Sequence, residues 1–456
     1  MKIVIAGAGE LGQLLSEELS ANGHSVVLID SSADPLDRIS GSLDIRLLEG
    51  NCIDHTVLRE AGTDQADLFL AVCGEDATNI LSCQLSSRLG CTNTLCRISE
   101  PALFSRVEES LTPESFGIWK YVSPPEECVR KIVSILDHCH LLEEIRFSHP
   151  DALMRFVELT PSSPLCGIRV KDIPRDLDIL SRVRFAALVR GRQLIIPHGD
   201  TLLVPGDKIY IAGKADHVRD FTTWLLPEES PKGKRRVVIS GGTVTALALA
   251  RKLHELDYEV RILERNSAAA ERIPDQVPPE ILVLHGNATE EEVLREAGID
   301  HCHAFISAAS NDEDNILSCI IAKRMGAEKT VSVTSKPEYI RIVPTMDMID
   351  CPVSSTLVAV NSVLRVLGGG TMRVDANLQM YRSALMEFKV HNSSPLCGKS
   401  LAVCKLPPSS LFALLFRNGE VIAPSGNTVF RPGDTVVAIV PKESEKEYQI
   451  LFPEER

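Results

Sequence analysis

Residues Gly50 to Gly62 read GNCIDHTVLREAG, and residues Gly286 to Gly298 read GNATEEEVLREAG. Eight of the thirteen positions are identical at a constant offset of 236. The same offset carries Asn79-Ile80-Leu81-Ser82-Cys83 onto Asn315-Ile316-Leu317-Ser318-Cys319. Downstream of each copy, Ser162-Ser163-Pro164-Leu165-Cys166-Gly167 returns as Ser393-Ser394-Pro395-Leu396-Cys397-Gly398, and Pro205-Gly206-Asp207 as Pro432-Gly433-Asp434. The chain is a tandem duplication of a two-part unit. Solenoid repeats are shorter than this, and a period of about 230 residues is the size of a one- or two-domain globular unit.

Working outward from the first copy, Lys2 to Ala6 is a short apolar strand that runs into a glycine turn. Leu11, Leu14, Leu15 and Leu19 follow at helical spacing, and Gly23 stands where a helix ends. Ser25 to Ile29, Ile45 to Leu48, Leu68 to Val72 and Thr94 to Ile98 are further strand-like runs, with helical segments such as Ala77 to Leu89 between them. Pro124-Pro125 opens another helix. Strands alternating with helices predict a parallel sheet covered on both faces. From about Leu141 to Leu225 the pattern changes to short strands between Pro/Gly turns, which predicts a small α+β domain. The expected fold class is α/β, a Rossmann-like doubly wound parallel sheet followed by a small α+β domain, all duplicated. The expected boundaries are 1–136, 137–226, a linker at 227–236, 237–370 and 371–456.

The first turn carries the chemistry. Gly7-Ala8-Gly9-Glu10-Leu11-Gly12 is a G-x-G-x-x-G that follows a strand and opens a helix, and Asp30 closes the second strand 18 residues after Gly12. Gly7 permits the tight turn, Gly9 lets backbone approach a pyrophosphate, and Gly12 allows close helix–strand packing. The helix N-terminus offers unpaired N–H groups to the phosphates. Asp30 is placed to accept from ribose hydroxyls, and its charge repels a 2′-phosphate, which favours NAD(H) over NADP(H). Asn51 and Cys52 follow the third strand, on the adenine side of such a fold or in a plain strand-end turn. Cys73 follows the fourth strand at the ligand-binding edge, where Asp76 is expected to cap the next helix. Arg97 ends the next strand, as a pyrophosphate ligand or an ordinary edge arginine.

In the second copy the glycine positions become Gly241, Thr243 and Ala246, with Gly242 between the first two. Asp30 becomes Glu264, Asn51 becomes Asn287, and Arg97 becomes Val333. A β-branched Thr where backbone should meet phosphate obstructs the cradle, so Gly241, Gly242, Thr243, Glu264 and Asn287 form a degenerate candidate site.

A formal net charge of −14 argues against duplex nucleic acid as the main partner, since duplex binding needs a basic surface to replace phosphate counterions. No apolar run approaches the roughly 18 residues that a membrane span requires. The N-terminus reads as a strand and not as a signal peptide. Thirteen scattered cysteines without a C-x-x-C pair fit reduced, mostly buried thiols in a cytosol. His138-Cys139-His140 and His301-Cys302-His303 lack partners for a four-ligand metal set, and Asn311 to Asn315 lacks the glycine and terminal Glu of an EF-hand, so no metal is expected. The repeated Ser-Ser-Pro-Leu-Cys-Gly reads as a strand-to-helix turn holding a buried thiol. Residues 227–236, PEESPKGKRR, read as a solvated linker ahead of the alternative, a basic interaction patch.

The order of these motifs resembles the Trk potassium-uptake regulatory subunits, the TrkA family of tandem RCK/KTN units. It runs from the glycine turn and acidic ribose residue through L-x-x-A-G and the D-x-x-N helix start at Asp76 to Asn79. A small domain with S-P-L-x-G and P-G-D follows, and everything occurs twice. The resemblance implies RCK N-lobes and C-lobes, with ligand contacts on Gly7, Gly9, Gly12, Asp30, Asn51, Cys73 and Arg97. It implies NAD(H), and in some members ATP or ADP, as controlling ligands. It also implies a cytoplasmic protein on the inner face of the membrane, bound to a potassium-translocating subunit, and a homo-oligomer (dimer or tetramer) forming a ring of RCK units. No catalytic residue is expected. The alternative, a duplicated NAD-dependent oxidoreductase, would need an acid/base residue against the nicotinamide and two intact cofactor turns. A redox-sensing repressor would need a basic recognition helix.

Overall fold

A computed structural model of the chain describes residues 1–39, 41, 43–100, 104, 112–136, 140–173, 182–191, 193–226, 234–342, 348–367, 372–373, 383–407 and 410–453. The first half opens with β1 (Lys2–Ala6), α1 (Glu10–Ala21), β2 (Ser25–Asp30), α2 (Ala33–Asp37), β3 (Arg46–Glu49) and α3 (His55–Glu60). It continues with β4 (Leu68–Ala71), α4 (Asp76–Leu89), β5 (Thr94–Arg97), β6 (Lys120–Val122) and α5 (Pro124–Ile135). The six strands form a parallel sheet in the order β3-β2-β1-β4-β5-β6. The order reverses between β1 and β4, which opens a crevice at the carboxyl ends of these strands. Ile3, Val4 and Ile5 are buried in succession, as a central parallel strand covered on both faces demands. α1 buries Gly12, Leu15, Ser16 and Leu19 on one stripe, and Gly23, with φ of +77°, turns the chain out of it.

A small domain follows: β7 (Leu141–Arg146), β8 (Ala152–Glu158), β9 (Val183–Arg190), β10 (Gln193–Ile195), β11 (Lys208–Lys214) and α6 (Ala215–Leu225). Its antiparallel sheet runs β10-β9-β11-β8-β7, with α6 on one face. Of the expected linker, residues 227–233 lie outside the described residues.

The second half repeats the plan with β12 (Arg236–Ser240), α7 (Val244–Glu255), β13 (Glu259–Glu264), α8 (Ser267–Ala270), β14 (Leu282–His285), α9 (Glu291–Glu296) and β15 (Ala304–Ser307). Then come α10 (Asp312–Arg324), β16 (Lys329–Thr334), α11 (Pro337–Ile342), β17 (Cys351–Ser354) and α12 (Ser355–Leu367). The sheet order is β14-β13-β12-β15-β16-β17, the counterpart of the first. The last sheet holds β18 (Met372–Arg373), β19 (Ser383–Lys389), β20 (Leu411–Arg417), β21 (Glu420–Ile422) and β22 (Thr435–Pro441) in the order β18-β19-β22-β20-β21, backed by α13 (Glu445–Leu451). The expected fold class, two Rossmann-like sheets each with a small α+β companion, is the one observed.

The halves are not beads on a string. α5 leaves the first sheet and buries Cys128, Val129, Ile132 and Ile135 in the core of the second sheet, beside α7. α12 returns the exchange, with Val360 and Val363 in the core of the first sheet beside α1. Where the two crossing helices meet, Arg365 pairs with Glu127 at 3.0 Å. Lys329, fully buried in β16, donates to the carbonyl of Ile135 at 2.5 Å and to that of Leu141, so a cation of the second half satisfies the end of a helix from the first. The small sheets also meet face to face: Met154, Phe156, Tyr210 and Ala212 share one core with Leu385, Leu414, Phe416 and Ile439. Buried Glu387 accepts there from the backbone N–H of Ser148 at 2.9 Å and from its hydroxyl.

The repeated motifs of the small domains have structural duties. Asp207 takes a two-pronged bond from Arg190 at 2.7 and 2.7 Å, and Asp434 takes the same from Arg417 at 2.8 and 2.7 Å. Cys166 and Cys397 are half-buried and not buried as expected, because the Ser-Ser-Pro-Leu-Cys-Gly turn lies at the surface. The Cys166 thiol bonds the Thr160 carbonyl at 3.0 Å.

Candidate functional site

The crevice of the first sheet is floored by the β1–α1 turn. Gly7 sits at φ +107°, and a Cβ there would stand 2.9 Å from the backbone nitrogen of Cys73. A Cβ on Gly12 would come within 1.8 Å of the Gly7 carbonyl oxygen, so any side chain would drive α1 off the turn. Gly9 is different: nothing lies within 4 Å of where its Cβ would be. That open space lies at the N-terminus of α1, where unpaired N–H groups and the positive end of a twelve-residue helix point outward.

Asp30, at the end of β2, folds back over this turn. Its carboxylate accepts from Ala8 N at 2.7 Å and from Ser32 N at 2.9 Å. A carboxylate has room for about four hydrogen bonds, so acceptor sites remain for hydroxyls. Asn51 is exposed after β3, where its side chain accepts from Ile53 N at 3.1 Å in a local turn. Ala8 is buried, and Leu11 is packed partly into the core, so these two serve the turn through their backbone.

Cys73 and Arg97 stand at the far edge of the crevice. The Arg97 guanidinium donates to the Cys73 carbonyl at 2.7 Å. Asn79, which the sequence reading noted only as a helix-start residue, fastens this edge. Its Oδ1 accepts from Cys73 N at 2.8 Å, and its Nδ2 donates to the carbonyls of Cys73 and Arg97, each at 3.0 Å. Asn315 repeats the clasp with Ala309 and Val333. The signal available in the sequence was an amide kept at the same place in both copies, inside a helix, where a buried amide must find partners. Asp76 does not cap α4 as expected. Glu75 occupies the cap position, and Asp76 accepts from Ser99 N and Glu100 N, because the chain leaving β5 presents bare N–H groups there.

Glu10, the first residue of α1, looks out of the crevice toward the second half. Burial raises its carboxyl pKa first, and the charges of Asp312 and Glu338 raise it further, while Lys336 and Thr356 act in the opposite sense. Of the second half, α12 packs directly beside α1, with Val360 and Val363 in the same core as Leu15 and Leu19.

The second crevice is a cavity of about 230 Å³ lined by Gly241, Gly242, Thr243, Glu264 and Asn287 among others. Thr243 fills the place left open at Gly9, and its hydroxyl donates to the Ala308 carbonyl at 2.6 Å and accepts from Ala246 N at 3.3 Å. The branched side chain is thus a satisfied helix cap. Glu264 accepts from Asn266 N at 2.8 Å, and Asn287 from Thr289 N at 3.1 Å. Val333 does supply no cation, yet Arg265 does: it crosses the lining to Asp314 at 2.8 Å, a pair the sequence reading did not single out.

His303 is buried, with Nδ1 3.1 Å from Glu328 of its own half and Nε2 3.1 Å from the Leu136 carbonyl of the first half, so both ring nitrogens have partners and one of them joins the halves. His301 is exposed beside Asp300. His138 and Cys139 lie outside the described residues. Asn311 caps α10 through Asp314 N at 2.7 Å. Among the described residues no helix is long and apolar enough to cross a membrane.

The TrkA-N domain model matches residues 3–112 and 237–351, and the TrkA-C domain model matches residues 154–226 and 385–452. The chain is 28% identical over 457 residues to the Trk system potassium uptake protein TrkA of Vibrio alginolyticus, covering 99% of this chain and 98% of that protein. It is 28% identical over 456 residues to the TrkA homolog of Archaeoglobus fulgidus, covering 99% of this chain and 100% of that one. Among solved structures, the RCK domain of GsuK superposes with a TM-score of 0.60 at 18% identity, over 98% of this chain and 94% of that chain. The GsuK channel bound to NAD gives 0.61 at 18% identity, over 99% and 78%. These two likenesses concern the fold.

Proposed function

The chain belongs to the family built from paired TrkA-N and TrkA-C domains, and from that premise we propose that it is a nucleotide-binding regulatory subunit of a potassium-translocating membrane protein. The observation that carries the reading is the space over Gly9: an open cradle at a helix N-terminus, between Asp30 on one side and the Cys73–Arg97 edge on the other. NAD(H) is the ligand proposed for this crevice, with ATP and ADP as the other candidates. Its pyrophosphate would lie over Gly9 against the start of α1, its ribose hydroxyls on Asp30, and its adenine toward Asn51 and Cys52. Arg97, already on the Cys73 carbonyl, would turn its remaining donors to phosphate.

The second crevice is proposed to take NAD(H) weakly or not at all, because the Thr243 side chain occupies the cradle. Regulation follows from position. The helix α1 that opens the first crevice packs beside α12 of the second half, so an occupant that touches both halves favours one arrangement of them, by as much as its affinity for the two arrangements differs. The role proposed is binding and not turnover, at the cytoplasmic face of the membrane, in a ring of such units on a Trk-type subunit.

Titration calorimetry of the whole chain with NADH, NAD⁺, ATP and ADP tests the first step. About one tight NADH site per chain is expected, and Gly9→Val should abolish it by filling the cradle. Two equivalent tight sites, or tight binding by Gly9→Val, would overturn the assignment. Restoration of potassium uptake in cells lacking a subunit of this kind tests the second step.

A further inference from the structure

Two thiols face one another beside the first crevice. Cys52, on the turn after β3, and Cys73, on the loop after β4, have their sulfurs 3.7 Å apart, and both are free. Cys52 is 7% exposed and Cys73 is half-buried.

The duplication supplies an internal control. The corresponding residues of the second half are Ala288 and Ala309, and both line its cavity. The core thiol Cys83 is kept as Cys319, and the turn thiol Cys166 as Cys397. An alanine pair is enough for the fold at this place, so packing does not explain two sulfurs in contact. The alanines also locate the pair: it stands where an occupant of the first crevice would cover it.

The two sulfurs are held differently. The Cys73 backbone is clasped by Asn79 and Arg97 and packs directly on Gly7. Cys52 rides a surface turn between exposed Asn51 and exposed Ile53. A disulfide needs about 2.05 Å between sulfurs, and the approach required is within reach of such a turn. The Cys73 thiol, hydrogen-bonded to Cys52, favours the thiolate on Cys52, which lowers its pKa below the ordinary thiol value.

We propose that Cys52 and Cys73 are a reversible oxidation site: a hydroperoxide converts the pair to a disulfide that competes with nucleotide occupancy of the first crevice. The competition rests on the nucleotide reading above, and the disulfide itself does not. The Cys52 thiolate attacks one peroxide oxygen, an S–O bond forms, the O–O bond breaks, and the departing hydroxide takes a proton to leave as water. Cys73, giving up its proton, attacks the Cys52 sulfur. The S–S bond forms, the S–O bond breaks, and the second hydroxide leaves with that proton as water. Each sulfur loses one electron and the peroxide gains two. A small dithiol reverses the change by exchange. The bond would draw the β3–α3 turn onto the residue that packs against Gly7, and an occupied crevice would shield Cys73.

The test uses the whole chain, graded hydrogen peroxide, rapid alkylation of remaining thiols and peptide mass mapping. The Cys52–Cys73 cross-link should form before any other pair, and saturating NADH should slow its formation. The oxidised chain should bind NADH about tenfold more weakly, so that at equilibrium NADH shifts the pair toward the dithiol by the same factor, and dithiothreitol should restore the affinity. The double variant Cys52→Ala/Cys73→Ala, which copies the second half, should lose the peroxide response whatever its own affinity. Oxidation of other cysteines with no Cys52–Cys73 cross-link overturns the site. A cross-link that leaves NADH affinity unchanged, or a peroxide response that survives in the double variant, overturns the competition. A chain that binds no nucleotide in either state, yet forms the cross-link, counts against the nucleotide reading alone.

Discussion

At the scale of the residue, the two cradles differ first at a single side chain. Gly9 and Thr243 stand at equivalent places with similar extended backbones, φ −67° and −70°, so glycine is not there for its conformational freedom. It is there for the volume it leaves. Thr243 spends that volume on two hydrogen bonds that cap its helix. Asp30 is the other decisive residue. Asp30→Ala should weaken NADH by about 1–3 kcal/mol, the cost of leaving ribose hydroxyls unpaired. Calorimetry on the variant checks this, and unchanged affinity would mean that Asp30 only ties the turn through Ala8 and Ser32. The glycine turn and Asp30 were legible in the sequence because each demand is local: a tight turn, a close approach, an acid at a strand end. The contact between Cys52 and Cys73 was not, since it joins two loops from different strands, and periodicity carries no distance between loops. The hydroxyl of Thr243 was legible as an obstruction but not as a cap, because its acceptor, the Ala308 carbonyl, lies 65 residues away.

At the scale of the element, α5 and α12 show where pattern reading stops. The apolar stripe of α5 announces that Cys128, Ile132 and Ile135 will be buried. It cannot say against which sheet, because the two sheets are copies and offer nearly the same face. Ile132→Ala should cost about 2–5 kcal/mol, and the structure says where that loss is felt. Amide exchange should quicken in β12 and β15 of the second sheet before β1 and β4 of the first. Val363→Ala on α12 should do the reverse with a smaller cost. Loss of protection confined to each helix's own half would contradict the exchange. The face-to-face small sheets make a pH prediction. Burial holds the Glu387 carboxyl above its ordinary value of 4.5. An acid raised in this way binds its proton more tightly in the folded chain, so folding is favoured at low pH and stability falls as pH climbs from the ordinary value through the raised one. Glu387→Gln keeps an acceptor for Ser148 N and a donor for its hydroxyl, and removes the buried charge. From about pH 4 to about pH 7 the urea midpoint of the variant should rise relative to the unaltered chain. A difference that stays flat would mean that water reaches Glu387.

At the scale of the whole molecule, the exchange of helices turns a duplicated chain into one cooperative body. A fragment ending near Leu226 would carry α5 without the sheet that buries it, and its own sheet would lack α12. Burying an aliphatic side chain contributes about 1.5–3 kcal/mol, so stripping Ile132, Ile135 and Leu136 of their partners removes an amount comparable with the total stability of a typical domain, about 5–15 kcal/mol. The complementary second-half fragment would lose, at Lys329, the Ile135 and Leu141 carbonyls that this cation serves. Neither half should fold as a monomer. Two halves made as separate chains, 1–229 and 230–456, should fold only together, as a one-to-one complex that binds NADH as the intact chain does. The covalent join then acts by raising the effective concentration of one half beside the other, so the split complex should come apart on dilution where the intact chain does not. Co-purification with a tag on one half, followed by sedimentation across a dilution series, measures this. A 1–229 chain that is monomeric and melts in a single sharp transition by itself would sink the prediction, and would return the nucleotide crevice to one half acting alone.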